Sequence, residues 1–200
     1  MAKLVNWHGF ETKLKDKQLF LFTCLDVRRV LGVSPIAATF LLHRYAKKNF
    51  ITRVKRGLYT FPGLPSVPAL YVANKLYEPS YVSSEFALSY HRVIPETVYE
   101  ITSVTTKTTQ RFRTLGKIFS YRRIKKEAFT GYVSSRERGF TFLIAEPEKA
   151  FVDLAYLRIM NRKKPLTRFD KRKINTAKAL RYAKLFQNRK LISIIKTTLR

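Results

Sequence analysis

Apolar residues recur every three to four positions between Leu25 and Tyr45, then alternate between Phe50 and Phe61. The first pattern predicts two helices and the second a hairpin. The leading helix starts near Leu25–Asp26, with Leu25, Val27, Val30 and Leu31 on its apolar side and Arg28 and Arg29 opposite. It stops at Gly32, a residue suited to a helix C-terminus. Ser34–Pro35 restarts the chain, because serine caps orphan amides and proline has no N–H to lose at the first helical position. The second helix therefore runs from Pro35 to about Lys48. Ala38, Leu41, Leu42 and Tyr45 form its core stripe, leaving Ile36, Thr39, Phe40, His43 and Lys47 on the remaining face. Phe50–Val54 and Leu58–Phe61 read as strands around Lys55-Arg56-Gly57, a tight turn with two cations at its tip. Together these elements outline a winged helix-turn-helix over residues 1–62.

The pattern then breaks at the Pro-rich stretch Phe61–Pro68, which predicts a linker at 63–69. A helix is expected from Ala69 to Leu76, and a second, capped by Ser83 or Ser84, through His91. Strand-like runs follow at Thr97–Thr105, Gly116–Ile124, Gly131–Ser134 and Phe140–Ala145, all rich in β-branched and aromatic residues. Pro147 opens a helix reaching Leu157, and two more helices are expected over Ile174–Phe186 and Leu191–Leu199. Residues 63–200 thus form a mixed α+β domain that ends in a basic helical tail at 161–200.

Charge adds the strongest functional constraint. Forty Lys and Arg against thirteen Asp and Glu leave +27, distributed as +9 over residues 1–62, +5 over 63–160 and +13 over 161–200. Self-repulsion of that size points to a polyanionic partner, nucleic acid first. A hydrophobic content of 46% over 200 residues is ample for real cores. The single cysteine, Cys24, excludes an intramolecular disulfide and is expected to be a buried, inert thiol beside Leu21, Phe22 and Leu25. No apolar run reaches signal-peptide or membrane-span length, so a reduced cytoplasmic setting without membrane association is expected.

Catalytic constellations are not visible. His8, His43 and His91 lie far apart and lack ligand spacing, and the seven glycines are scattered singly. Glu146-Pro147-Glu148-Lys149 has the wrong spacing for a metal-dependent nuclease. Its acidic residues suit the first turn of a helix, and Asp153 suits a structural salt bridge at the edge of that helix. Ser83-Ser84 with His91 reads as capping and surface chemistry rather than as nucleophile and base. No catalytic residue, metal or cofactor is expected, and the chain is read as non-enzymatic.

The expected nucleic-acid contacts divide by chemistry. Thr39, Phe40 and His43 face outward from the second helix, where a methyl, a ring or an imidazole can meet base edges in a major groove. Lys47, Lys48, Arg53, Lys55 and Arg56 suit phosphate contacts, because a wing tip and a helix end pass beside the backbone; Arg44 joins this set. A second basic group comprises Arg111, Arg113, Arg122, Arg123, Lys125 and Lys126, with Lys171, Arg172 and Lys173 in the C-terminal segment. Solvated strand edges carry such charges as a guard against edge-to-edge association, so the middle cluster has a structural reading as well.

Three segments carry a family resemblance. They are Phe50–Tyr59 at the wing, Ser80–His91 (SYVSSEFALSYH) and Ala145–Leu154 (AEPEKAFVDL). Their order resembles the AbiEi-like antitoxins of bacterial abortive-infection (type IV) toxin–antitoxin systems, over about residues 20–160. Glu85-Phe86 and Arg92 depart from that pattern, where a small residue and a glycine are common. The resemblance implies an autorepressor that binds promoter inverted repeats in double-stranded DNA, joined to an antitoxin-type domain. It also implies a functional partner, a nucleotidyltransferase-like toxin, often counteracted without a stable complex. Two alternatives stand beside it: an RNA-binding or RNA-protecting basic protein, and a stand-alone winged-helix regulator.

Overall fold

The computed structural model describes residues 6–63 and 67–200, so residues 64–66 of the expected linker lie outside the described part. The chain is a mixed α+β protein and divides after Val67 into two compact units.

The first unit opens with a helix that the apolar pattern above did not predict, α1 (Trp7–Asp16). Asn6 caps it by accepting from the Gly9 N–H, and Phe10 and Leu14 are buried one turn apart. Strand β1 (Leu21–Thr23) leads directly into α2 (Cys24–Leu31). Thr23 and Asp26 form a reciprocal capping box there, worth about 1 kcal/mol, and Gly32 ends the helix in the left-handed conformation. The cap starts α2 earlier than the apolar pattern suggests, and Leu25, expected in the core stripe, is instead 45% exposed. Helix α3 (Pro35–Lys47) begins at Ser34, whose side chain accepts from the Ala37 N–H, and buries Ala38, Leu41, Leu42 and Tyr45 as the spacing predicts.

Strands β2 (Thr52–Lys55) and β3 (Leu58–Thr60) make the expected hairpin, and β1 pairs with β3 to give the sheet order β1-β3-β2. The ladder is irregular between Arg53 and Lys55, and Gly57 turns the chain at φ +80°. A core of Phe10, Phe22, Val27, Leu42, Ile51 and Phe61 is tied together by rings. Tyr45 lies 4.8 Å from Phe10 and 5.0 Å from Trp7, centroid to centroid.

The second unit is built on a six-stranded sheet of order β6-β7-β5-β4-β9-β8. Its elements in chain order are α4 (Ala69–Leu76), β4 (Ser80–Val82), α5 (Ser84–Tyr90), β5 (Ile101–Thr105), β6 (Gln110–Thr114) and β7 (Lys117–Arg123). Then come β8 (Tyr132–Glu137), β9 (Phe140–Ala145), α6 (Pro147–Met160), α7 (Thr176–Leu185) and α8 (Arg189–Thr198). The β5–β7 and β4–β9 pairs are parallel and the others antiparallel. Helix α4 covers one face, where Tyr121 donates to the Ala73 carbonyl and Asn74 bonds both backbone groups of Leu143. Helices α5 and α6 cover the other, and α7 and α8 pack on α6, with Tyr156 and Phe186 4.4 Å apart. Strands β4 and β6 are additions to the predicted set.

Candidate nucleic-acid interface

Burying one stripe of α3 leaves the opposite stripe outside. Ile36 and Phe40, one turn apart, are 70% and 69% exposed, and Thr39, His43 and Lys47 share their surroundings in solvent. The Thr39 hydroxyl is already occupied, donating to the Pro35 carbonyl at 2.9 Å and lying 3.6 Å from Cys24 Sγ. What Thr39 offers a partner is therefore shape more than a free donor. Cys24, expected to be buried, is half-buried against this side of α3. Arg44 is exposed, stacks its guanidinium 4.8 Å from the Tyr45 ring centre and donates to its hydroxyl at 3.0 Å, which fixes the cation beside the core.

At the end of α3 and on the hairpin, Lys47, Lys48, Arg53 and Arg56 are exposed, and Lys55 is half-buried. Among the described residues, none of Lys47, Lys48, Arg53 and Arg56 has a carboxylate within 4.0 Å. Four cations held around one helix end and one turn, without internal neutralisation, make a local positive field suited to a phosphate backbone. Leu25 on α2 adds an exposed apolar side chain where the apolar pattern predicts a core position.

The second basic group is not one surface. Arg111 and Arg113 alternate with Phe112 on the edge strand β6, on the sheet face that also takes Arg122, whereas Arg123 falls on the opposite face. Arg111 holds Glu100 through two hydrogen bonds of 3.2 Å. Lys125 and Lys126 follow β7 and are exposed. Lys171, Arg172 and Lys173 form a short 3-10 turn, in which Arg172 pairs with Asp170 at 3.0 Å and Lys173 donates to the Arg92 carbonyl at 2.8 Å.

The charged groups with the strongest structural coupling lie inside the second unit. Lys149 and Asp153, one turn apart on α6, form a fully buried ion pair. Asp153 also accepts from the Ser83 hydroxyl at 2.8 Å and from the Tyr81 hydroxyl at 3.1 Å. Burial lifts the Asp153 carboxyl above its ordinary range against the pull of these donors, and burial likewise lowers the Lys149 ammonium. The salt bridge expected at the edge of the helix is thus in the core. Ser83, expected as a possible side-chain cap of α5, instead serves Asp153.

Beside this pair, Glu146 accepts from Lys178 at 2.8 Å and from Tyr182. Burial raises the Glu146 carboxyl, but the bonds from Lys178 and Tyr182 outweigh it and hold it below the usual range. Burial and the same bond push the Tyr182 hydroxyl up to about 12. His91 bonds the Ala145 carbonyl at 2.8 Å, whereas the Ser83 hydroxyl is taken up by Asp153. Among the described residues, no group of three or more His, Cys, Asp or Glu is arranged to hold a metal ion, and no helix is long and apolar enough to cross a membrane.

Residues 12–62, from α1 to the end of the hairpin, match the family model described as a transcriptional regulator, AbiEi antitoxin. The AbiEi-like character read from the sequence therefore holds for this segment. The match ends before Ser80–His91 and Ala145–Leu154. A search of curated proteins gave no match to the chain.

Proposed function

We propose, from an N-terminal segment that is AbiEi-like, that the first unit is a winged helix-turn-helix that binds duplex DNA and represses its own operon. The order helix, strand, two helices and a hairpin returning onto the first strand supports this reading. The observation that carries it is the pairing of an exposed outer stripe on α3 with the unneutralised cations Lys47, Lys48, Arg53 and Arg56 beside it. In the proposed complex α3 enters the major groove. Phe40 and His43 meet base edges, while the helix end and the hairpin tip grip phosphates on either side. Lys55 and Arg44 add to that grip. Binding would exclude polymerase from the promoter, and two copies would occupy inverted repeats.

The second unit, with its basic C-terminal segment, is the proposed antitoxin part, acting against a nucleotidyltransferase-like toxin in the cytoplasm. It carries no catalysis in this reading, which takes the fully buried Lys149–Asp153 pair, with Ser83 and Tyr81 donating to Asp153, as structural.

Footprinting on the duplex upstream of the chain's own coding sequence tests the proposal. Protection of paired half-sites, lost in a Phe40→Ala/His43→Ala variant, is the expected result. Uniform protection along any duplex would reject promoter recognition.

A further inference from the structure

On the sheet face covered by α5 and α6, a cleft of about 330 Å³ opens between β5, β7 and the last turns of α6. Small-molecule sites start at about this size, roughly 300 Å³. Leu154 and Leu157 give it an apolar side, and Arg122, Arg158 and Lys163 bring three cations to it. Lys163 and Arg122 are exposed, without a carboxylate within 4.0 Å among the described residues. Arg158 is anchored by donating to the Lys164 carbonyl at 3.0 Å, while its Nε is buried without a hydrogen-bond partner.

A second observation points to a ligand in the same place. Ser84 lines the cleft, is only 3% exposed, and its hydroxyl has no partner. Its backbone sits at φ +54°, a conformation that L-residues rarely adopt and that persists only where the surroundings enforce it. Here the clamp is Thr102, whose hydroxyl donates to the Ser83 carbonyl at 2.7 Å and accepts from the Phe86 N–H at 3.0 Å, bracketing Ser84. Ser84 Oγ and Arg158 Nε are thus two buried donors without partners, both on residues that line this cleft.

Two carboxylates also line the cleft. Glu100 is neutralised by the two bonds from Arg111, which leaves Glu85 as the acidic group on offer. Three cations and two hydrogen-bond donors suit a phosphate, and a single half-buried carboxylate suits the hydroxyls or N–H groups of what the phosphate is attached to.

We propose that this cleft binds a nucleoside monophosphate. The phosphate sits between Arg122, Arg158, Lys163 and the Ser84 hydroxyl, and Glu85 accepts from the sugar or base. Every residue of this site belongs to the second unit.

Calorimetric titration of the full chain at about 150 mM salt with guanosine and adenosine 5′-monophosphates, inorganic phosphate and the free nucleosides tests it. Saturable one-to-one binding of at least one monophosphate is expected, weaker binding of inorganic phosphate, and none of the nucleosides. Arg122→Gln and Arg158→Gln should each weaken monophosphate binding by about tenfold or more, and Ser84→Ala by less, while Arg56→Gln leaves it unchanged. Arg122 is exposed on its strand, so its variant keeps the fold, with the melting temperature as the check. Absence of saturable binding overturns the proposal. So does equal weakening by Arg56→Gln and Arg122→Gln, which would be the general attraction of a +27 chain for anions.

Discussion

The two units treat charge in opposite ways. In the first, the core is rings and aliphatic side chains, and Lys47, Lys48, Arg53 and Arg56 stand at the surface with no carboxylate within 4.0 Å among the described residues. In the second, an ammonium and a carboxylate sit in the core, the carboxylate accepting also from Tyr81 and Ser83, and several surface cations such as Arg111, Arg172 and Lys178 already have partners. The charge of Lys47, Lys48, Arg53 and Arg56 is therefore available to a partner, whereas several cations of the second unit are committed to its own architecture. Substitutions in the first region should change binding and leave folding alone; those in the core of the second should do the reverse.

The largest effect is expected from breaking the buried pair. Asp153→Ala strands an ammonium in the core, and chemical denaturation should show a loss of about 3–5 kcal/mol. A Lys149→Met/Asp153→Leu double variant, which removes both charges at similar volume, should recover most of that loss; a double variant as unstable as the single one would mean that the hydroxyl network rather than the charge pair dominates. Next comes the outward face. Converting Arg53, Lys55 and Arg56 to glutamine should lower the slope of log affinity against log salt by about 2–3 on duplex DNA, with the melting temperature unchanged. Thr23→Ala removes the capping box of α2 and should cost about 1 kcal/mol, read by thermal melting.

The smallest effect is a pH dependence. The Glu146 carboxyl is held below its unfolded value, so the stability it contributes is present above that value and is lost as pH falls through the folded one. Glu146→Gln should flatten the acid limb of the melting curve, and an unchanged limb would assign acid sensitivity to other groups.

Much of this contrast is legible in the sequence, and the illegible part has physical reasons. Helix α3 reads correctly because Ser34-Pro35 marks its start and Ala38, Leu41, Leu42 and Tyr45 keep helical period against a single core. Strand β9 matches its predicted bounds, because its Phe-Thr-Phe-Leu-Ile-Ala run is rich in aromatic and β-branched residues. By contrast β4 has three residues, all buried, too few to show a period. Strand β6 lies at the sheet edge and reads Gln-Arg-Phe-Arg-Thr, a polar pattern with one ring facing the core side. Helix α1 has Trp7, Phe10 and Leu14 at helical spacing behind an Asn cap, a signal hidden among lysines.

At the functional level, the outer stripe of α3 follows from subtracting its core stripe. The exposure of Leu25 does not follow, because it depends on where the Thr23 cap starts the helix. The i,i+4 spacing of Lys149 and Asp153 announces a pair, but only the tertiary packing of α6, with Tyr81 and Ser83 on Asp153 and the Tyr81 and Phe186 rings under Lys149, makes it a buried one.

The most direct test of duplex recognition by the outward-facing first unit is a salt-titrated binding measurement on the chain's own upstream duplex, a scrambled duplex of equal length and a folded RNA. The account predicts selective binding to the upstream duplex. Its affinity should fall by about a thousandfold or more between roughly 50 and 200 mM salt if about six to ten phosphates are neutralised, and selectivity should vanish in Phe40→Ala/His43→Ala. Equal binding to all three, or preference for the RNA, would contradict it.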